Sequence, residues 1–238
     1  MMVNVTGHYP PLNILLLLHG LGDTQEPFTK LGTSLALPYT ACIALRAPNP
    51  IPSLFTGSDL PSFHWGDDVL VDERAGEIDP DAGFHTATNI VLQNVIKETL
   101  ISKCGFTARD VLMYGFGQGG MVALGVAVEA AAKEGLEFGG VVSVGGRIPS
   151  SVGSSQGGKK KKSATAALVL GGSRSRQVTR TAVDRLEEEF VDVEYVKWEK
   201  SEDSMPARRE EMMPIMRFFA RRLRSRAGVP EGAVEIGR

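Results

Sequence analysis

The chain has 238 residues, with 26 Lys and Arg against 28 Asp and Glu, so its formal net charge is −2. Hydrophobic residues make up 42% of it, and this composition excludes wholesale disorder, collagen-like repeats and a globally basic nucleic-acid-binding protein. Two cysteines, Cys42 and Cys104, are too few for a disulfide framework or a cysteine-rich metal site.

Short apolar runs alternate along the chain with longer segments of helical character. The runs predict strands at residues 14–18, 41–45, 111–114, 141–144, 167–170 and 193–196. Helices are predicted at residues 83–102, 121–133, 180–190 and 206–226. Strands that are apolar on both faces and take turns with helices indicate an α/β fold with a mostly parallel central sheet and helices on both faces.

This alternation predicts one domain over residues 1–226, followed by a C-terminal tail at residues 227–238. Within the domain, residues 150–163 are rich in serine, glycine and lysine, which is typical of a loop. The apolar run at residues 14–18 is too short to span a membrane, and no basic segment of a signal peptide precedes it. The last predicted helix carries an apolar stripe, which favours packing in the core over binding to a membrane surface. We therefore expect a cytoplasmic protein, with the nucleus as the alternative.

A glycine-rich loop at residues 115–120 joins a predicted strand to a predicted helix and has two interpretations. Its glycines satisfy the G-x-G-x-x-G pattern of a dinucleotide-binding loop, but the next strand ends without the acidic residue that holds the ribose. The second interpretation is a nucleophile elbow, G-x-S-x-G, with Gly115 and Gly119 as the flanking glycines. In that case Gly117 stands where the nucleophilic serine belongs.

At this loop the sequence resembles the phospholipase/carboxylesterase group of α/β-hydrolases, typified by acyl-protein thioesterases. The matching segments are LLLLHGLGDT at 15–24 and FTARDVLMYGFGQGGMVAL at 106–124, with weaker matches in RAPNP at 46–50, FHWGDD at 63–68 and VVSVGGRIP at 141–149. The resemblance covers most of residues 10–222. It implies a single α/β-hydrolase-fold domain and a site for carboxylic esters or thioesters. We expect no cofactor, and no metal site because no Cys/His cluster is present.

The resemblance places the three catalytic positions at Gly117, Ser175 and Asp203, and none of them carries the expected residue. The family order along the chain is serine, acid, histidine. Gly117 has no side chain, and Ser175 stands at the acid position, where relatives read roughly HGDxDxxV. No Asp or Glu occurs between positions 138 and 183. Asp203 falls at the histidine position, and the four histidines of the chain, at 8, 19, 64 and 85, all precede Gly117.

The loss of all three roles predicts a catalytically inactive pseudoenzyme, since removing such a triad lowers turnover by roughly a million-fold. An oxyanion hole made of backbone N–H groups survives the loss of side chains, and the resemblance assigns it to Leu21 and Gln118. Such a pocket can hold a carboxylate, an acyl group or a phosphate, so we expect binding of a protein partner or of a small acidic or acylated ligand. Two alternatives stay open: an active hydrolase that uses other residues or substrate assistance, and a nucleotide-binding protein acting through residues 115–120.

Charge is unevenly distributed along the chain. Residues 138–183 hold eight basic residues and no acid, whereas residues 59–81 hold eight acids and one arginine. We expect the basic segment to border the former active-site mouth. The candidate basic surface consists of Arg147, Lys159, Lys160, Lys161, Lys162, Arg174 and Arg176. It would attract an acidic or phosphorylated protein. Nucleic acid is a weaker candidate partner because no aromatic residues interleave with the basic ones.

Overall fold

The computed structural model describes residues 2–7, 10–72, 77–152 and 161–226. The strands are β1 (Val3–Gly7), β2 (Asn13–Leu18), β3 (Thr40–Leu45), β4 (Asn49–Pro50), β5 (Phe63–His64), β6 (Val71–Asp72), β7 (Glu77–Ile78), β8 (Val111–Phe116), β9 (Gly140–Val144), β10 (Ala167–Gly171) and β11 (Val193–Lys197). The α-helices are α1 (Gln25–Leu35), α2 (Ser53–Thr56), α3 (His85–Asn89), α4 (Gln118–Glu134), α5 (Arg180–Glu189) and α6 (Arg209–Arg222). The predicted C-terminal tail and residues 153–160 of the predicted basic loop lie outside the described residues.

Seven strands form the central sheet, in the order β1-β3-β2-β8-β9-β10-β11. The pairings from β3 to β11 are all parallel, and β1 alone runs antiparallel, at the edge beside β3. Each of the six predicted strands is present, with ends within two residues of the prediction. The sheet therefore confirms the predicted α/β fold with a mostly parallel sheet in a single domain.

Two layers of helices enclose the sheet, each over its own apolar cluster. One face packs against α4, α5 and a wider helical segment, Ile90–Lys103, which continues α3 with hydrogen bonds that reach five residues back. The other face packs against α1 and α6. Helices thus cover both faces, as expected, and the carboxyl ends of the parallel strands meet at one edge of the sheet.

Helix α1 is present although the sequence analysis did not predict it. Thr24 caps its start by accepting a hydrogen bond from the Glu26 N–H. Gly32 lets the helix approach the sheet, since a Cβ there would lie 2.8 Å from Cβ of Cys42. Pro27 and Gly32 are poor helix formers, and they disguise the helical spacing of its buried residues.

Helix α6 confirms the predicted packing of the last helix against the core. Ile215, Phe218 and Phe219 are fully buried on the sheet, while Arg221 pairs with Glu194 of β11 on the outer side. Within the described ranges, no helix combines the length and the apolar character needed to cross a bilayer.

Candidate functional site

A sharp turn between β8 and α4 forms the centre of the candidate site. Its middle residue, Gly117, has φ +50° and ψ −119°, a backbone conformation that L side chains rarely adopt. The turn is fixed by two hydrogen bonds, from the Gly117 N–H to the carbonyl of Val144 at 2.9 Å and from the Met121 N–H to the Gly117 carbonyl at 3.0 Å. This strand-to-helix geometry is that of a nucleophile elbow.

The glycines around the elbow differ in how much space each has for a side chain. A Cβ at Gly115 would lie 2.3 Å from the backbone of Gly119, and one at Gly119 would lie 2.3 Å from the carbonyl oxygen of Leu18. A Cβ at Gly120 would lie 2.3 Å from Oγ of Ser143. Close packing therefore favours glycine at these three positions. It accounts for Gly115 and Gly120 of the G-x-G-x-x-G pattern without a dinucleotide, and the positive φ of Gly117 accounts for the third glycine. A Cβ at Gly117 would meet nothing nearer than 4.0 Å, so the nucleophile position has room for the side chain that it lacks.

The residues at the predicted acid and base positions hydrogen-bond to each other. The Ser175 hydroxyl donates to Oδ2 of Asp203 at 2.6 Å, and its oxygen accepts from the N–H groups of Val178 at 2.8 Å and Gln177 at 3.2 Å. The other oxygen of Asp203, Oδ1, accepts from the Gly172 N–H at 2.8 Å. The pair thus connects the loop after β10 to the loop after β11.

This pair lies beside the elbow. The Val144 carbonyl accepts the hydrogen bond from Gly117, and a Cβ on the next residue, Gly145, would lie 2.7 Å from Cβ of Asp203. One residue of the β9 loop therefore separates the elbow from Asp203. The three vacant catalytic positions, predicted only from resemblance, come together at the carboxyl edge of the sheet.

The loop after β2 lies against the other side of the elbow and is held by His19. This ring is fully buried; its Nδ1–H donates to the Gly20 carbonyl at 2.7 Å, and Nε2 accepts from the Ala47 N–H at 3.0 Å. Desolvation by burial lowers the pKa of His19, so the ring is neutral at pH 7. With both nitrogens engaged by backbone groups, His19 holds its loop in place and is not a displaced catalytic base.

The predicted oxyanion donors lie on the two loops that meet at the elbow. A Cβ at Gly117 would have Gly20 Cα, adjacent to Leu21, as its nearest neighbour. Within the described residues, the N–H groups of Leu21 and Gln118 donate to no protein acceptor. Gln118 also begins α4, whose N-terminal dipole favours negative charge. The backbone therefore leaves two donors available on the loops that meet at the elbow.

Comparison with known proteins identifies the family. Residues 3–223 match the family described as Phospholipase/Carboxylesterase. The chain belongs to this family. An uncharacterized hydrolase of Schizosaccharomyces pombe is 34% identical over 140 residues, which are 59% of this chain and 55% of that protein. The chain thus spans about half the length of that curated relative.

Solved structures of plant proteins share the fold of this phospholipase/carboxylesterase family member. Acyl-protein thioesterase 2 of Zea mays is 19% identical, with a TM-score of 0.65 over 93% of this chain and 98% of that one. SOBER1 of Arabidopsis thaliana is 23% identical, with a TM-score of 0.63 over 89% and 99%. At these identities the likeness shows the α/β-hydrolase fold.

A polar network that the sequence analysis missed connects the loops around the family's catalytic positions. The Gln118 side chain accepts from the Trp65 N–H at 3.0 Å and donates to the Pro80 carbonyl at 3.2 Å. Next to Pro80, Asp81 forms an ion pair with Arg147 at 2.6 Å. Arg147 Nε in turn donates to the Gln177 side chain at 3.1 Å, and the Gln177 N–H contacts Ser175. No sequence signal identifies the contacts between different loops, because those contacts join residues 30 to 66 positions apart.

The structure does not bring the predicted basic surface together at the mouth of the site. Lys162 donates to the Glu187 carbonyl, and Lys161 Nζ lies 3.8 Å from the Cβ position of Gly135, which ends α4. The elbow lies at the other end of α4, about 25 Å away for a helix of this length. Lys161 and Lys162 therefore occupy the opposite edge of the sheet, contrary to the expectation. Lys159 and Lys160 lie outside the described residues.

Of the predicted basic surface, only arginines lie near Gly117, Ser175 and Asp203. Arg147 is neutralised by Asp81, and its side chain is only 27% exposed. Arg174 and Arg176 are exposed and line an open cleft of about 620 Å³. The other residues that line the cleft are Ser175, Gln177, Ser201, Glu202 and Asp203. The basic surface at this edge thus reduces to two arginines that flank Ser175.

The described residues contain no candidate metal-binding site. No group of three or more His, Cys, Asp or Glu side chains lies close enough to hold an ion in that part of the chain. Asp67, one of two adjacent carboxylates in the FHWGDD segment, accepts from the N–H groups of His85 and Thr86 at 2.8 and 2.9 Å. Asp67 therefore caps the start of α3.

Proposed function

We propose that this protein is a non-hydrolysing member of its family that binds an acylated ligand, either free or carried on a protein partner, at the vacant site. The observation that carries the proposal is the elbow. It keeps its conformation and its flanking glycines, while Gly117 offers no atom that can attack a carbonyl. Acyl transfer in this fold needs a nucleophile and a base to take its proton.

The Ser175–Asp203 pair supports the inactive state. In a working triad the histidine takes a proton from the nucleophile and donates from its other nitrogen to the acid. A carboxylate such as that of Asp203 is acceptor-only when ionised, and both of its oxygens already accept hydrogen bonds from Gly172 and Ser175. Asp203 therefore cannot replace the histidine, which accepts a proton at one ring nitrogen and donates from the other.

The backbone donors and the polar network around Gly117 support a binding role. Among the described residues the N–H groups of Leu21 and Gln118 donate to no protein acceptor, which leaves them free to donate to an acyl or carboxylate oxygen. The polar network through Gln118, Arg147 and Gln177 holds the surrounding loops in one geometry. A site arranged in advance loses less entropy when it binds a ligand.

The proposal is tested with octanoate and an octanoyl ester. Backbone amide NMR should show saturable shifts of the Leu21 and Gln118 signals, and mass spectrometry should recover the ester intact. A fluorophosphonate probe should leave the protein unlabelled because it needs an activated nucleophile. Octanoate release above the buffer rate, or covalent labelling, would instead favour a hydrolase that uses other residues. An absence of shifts at millimolar ligand would overturn the binding role.

A further inference from the structure

Met2, directly before β1, is more exposed than the other methionines that the structure describes. It is 49% exposed, whereas Met113 and Met121 are fully buried and the four methionines after residue 200 are partly buried. Met2 also lines an open cleft of about 540 Å³ beside the start of α1. A small oxidant in the solvent therefore reaches Met2 more readily than it reaches the methionines of the core.

Two hydrogen-bond donors are directed at the Met2 sulfur. Nε2 of Gln25, at the start of α1, donates to it at 3.3 Å, and Nη1 of Arg46, just after β3, donates to it at 4.0 Å. Both donors are held in place, because Gln25 is only 4% exposed and the Arg46 guanidinium stacks on the Phe63 ring at 4.5 Å. The backbone N–H of Arg46 also donates to the Met2 carbonyl, which fixes the chain at this point.

The thioether of Met2 is a poor acceptor for these donors. Sulfur accepts hydrogen bonds only weakly, and Nε of Arg46 is buried without a hydrogen-bond partner in the described part of the chain. A buried donor that lacks a strong acceptor costs free energy. An oxygen atom on the sulfur would supply such an acceptor between the Gln25 amide and the charged guanidinium.

We propose that Met2 is a site of reversible oxidation to methionine sulfoxide, and that Gln25 and Arg46 bind the sulfoxide oxygen. In the reaction with hydrogen peroxide the O–O bond breaks, one oxygen forms a bond to the sulfur, and the other leaves as water. The sulfur loses the two electrons that the peroxide gains. Oxidation of a methionine commonly disrupts apolar packing. At Met2 it replaces a weak acceptor with a strong one, so it joins the start of β1 more tightly to α1 and β3.

The test is limited oxidation of the full chain by hydrogen peroxide, followed by tandem mass spectrometry and thermal denaturation. Met2 should be oxidised before Met113 and Met121. The melting temperature should then rise by about 2–4 °C, as a net gain of one hydrogen bond would produce in a chain of this length. Methionine sulfoxide reductase with dithiothreitol should reverse the rise. Hydrogen exchange of the β1 amides that bond to β3 should be slower in the oxidised protein.

Variants identify the groups that bind the oxygen. Met2→Leu should show no rise after peroxide treatment, which excludes an effect of the other methionines. Gln25→Leu and Arg46→Leu should each lose most of the rise, measured as the difference between the oxidised and reduced forms of the same variant. Arg217→Leu removes an exposed arginine on α6 and is the matched control, which should keep the rise.

Several outcomes would overturn the proposal. One is peroxide that modifies Met113 or Met121 and leaves Met2 intact. Another is an oxidised Met2 that leaves the melting temperature unchanged or lowers it. A rise that both Gln25→Leu and Arg46→Leu retain, or that Arg217→Leu loses equally, would show that these two donors do not bind the oxygen. Because each variant is compared with its own reduced form, a substitution that itself lowers stability does not obscure the result.

Discussion

At the scale of single residues, the contact between Ser175 and Asp203 joins two loops at the positions that the resemblance assigns to the acid and the histidine. In a triad the histidine donates to the acid. Here the donor stands at the acid position and the carboxylate at the histidine position, so the direction of donation is reversed. The pair joins the loops after β10 and β11, and on the proposed function it relays no proton.

Asp203 should accordingly contribute to stability and not to turnover. Asp203→Ala removes the acceptor of the Ser175 hydroxyl and of the Gly172 N–H, which should lower the free energy of unfolding by about 1–2 kcal/mol. Urea denaturation measures this, with Glu202→Ala, at an exposed neighbour, as the control that should change little. Equal effects of the two substitutions would contradict the structural role of the pair.

His19 should make stability depend on pH below neutrality. Burial lowers its pKa from the ordinary value of 6.5, so the folded protein binds fewer protons there than the unfolded chain does. The free energy of unfolding should then be fully retained above pH 6.5 and fall as the pH drops below it, with His64, whose pKa burial also lowers, acting in the same direction.

Denaturation between about pH 7 and about pH 5.5 checks this prediction. His19→Gln should reduce the loss of stability across that interval relative to the wild type. A slope that His19→Gln does not alter would show that the buried ring is not the group that titrates.

The sequence alone predicted which catalytic residue types are missing, but it did not predict the hydrogen bonds and the ion pair that connect the loops of the site. The absence of histidine after position 85 and of acids between 138 and 183 can be read from the sequence without any structure. The hydrogen bond between Ser175 and Asp203 spans 28 positions, and the ion pair between Asp81 and Arg147 spans 66, so both depend on how the loops pack.

At the scale of secondary structure elements, the turn from β8 to α4 shows which glycines the fold needs. Gly115 and Gly119 are fixed by contact with backbone atoms, whereas Gly117 has space and only an unfavourable φ. The elbow thus persists through steric requirements that do not involve the nucleophile. Its persistence alone is no sign of catalysis.

Alanine substitutions should separate these roles. Gly115→Ala brings a Cβ to within 2.3 Å of backbone atoms and should lower the free energy of unfolding by about 3 kcal/mol or more. Gly117→Ala adds only backbone strain and should lower it by about 1–3 kcal/mol. Chemical denaturation of the two variants should rank them in that order, and a more harmful Gly117→Ala would contradict the open space at the nucleophile position.

Elements with continuous apolar runs were predicted well, and those with mixed composition were not. Five of the six parallel strands are buried and carry few polar residues, so their runs end within two residues of the strand ends. The sixth, β11, lies at the sheet edge and is partly exposed. Strand β1 lies at the sheet edge with alternating exposure, and α1 contains Pro27 and Gly32; neither has the uninterrupted pattern that predicts an element. Helix α4 begins at Gln118 and not at residue 121, because the elbow itself starts the helix.

At the scale of the whole molecule, the structure divides a basic segment between two edges of the sheet. Residues 138–183 do not form one basic surface, because strand β10 lies inside that segment and separates its two ends. Lys161 and Lys162 precede β10, and Arg174 and Arg176 follow it. Only the arginines are at the carboxyl edge, where the vacant catalytic positions meet.

Hydrolysis of p-nitrophenyl octanoate tests the central claim most directly. The wild type should release p-nitrophenol at the buffer rate at every protein concentration, because Gly117 supplies no nucleophile, Ser175 no carboxylate and Asp203 no imidazole base. A variant that restores all three roles, Gly117→Ser/Ser175→Asp/Asp203→His, provides the matched comparison and should exceed the wild type. Release by the wild type that rises in proportion to its concentration, and an acyl adduct found on it by mass spectrometry, would contradict the claim that this family member does not hydrolyse its ligand.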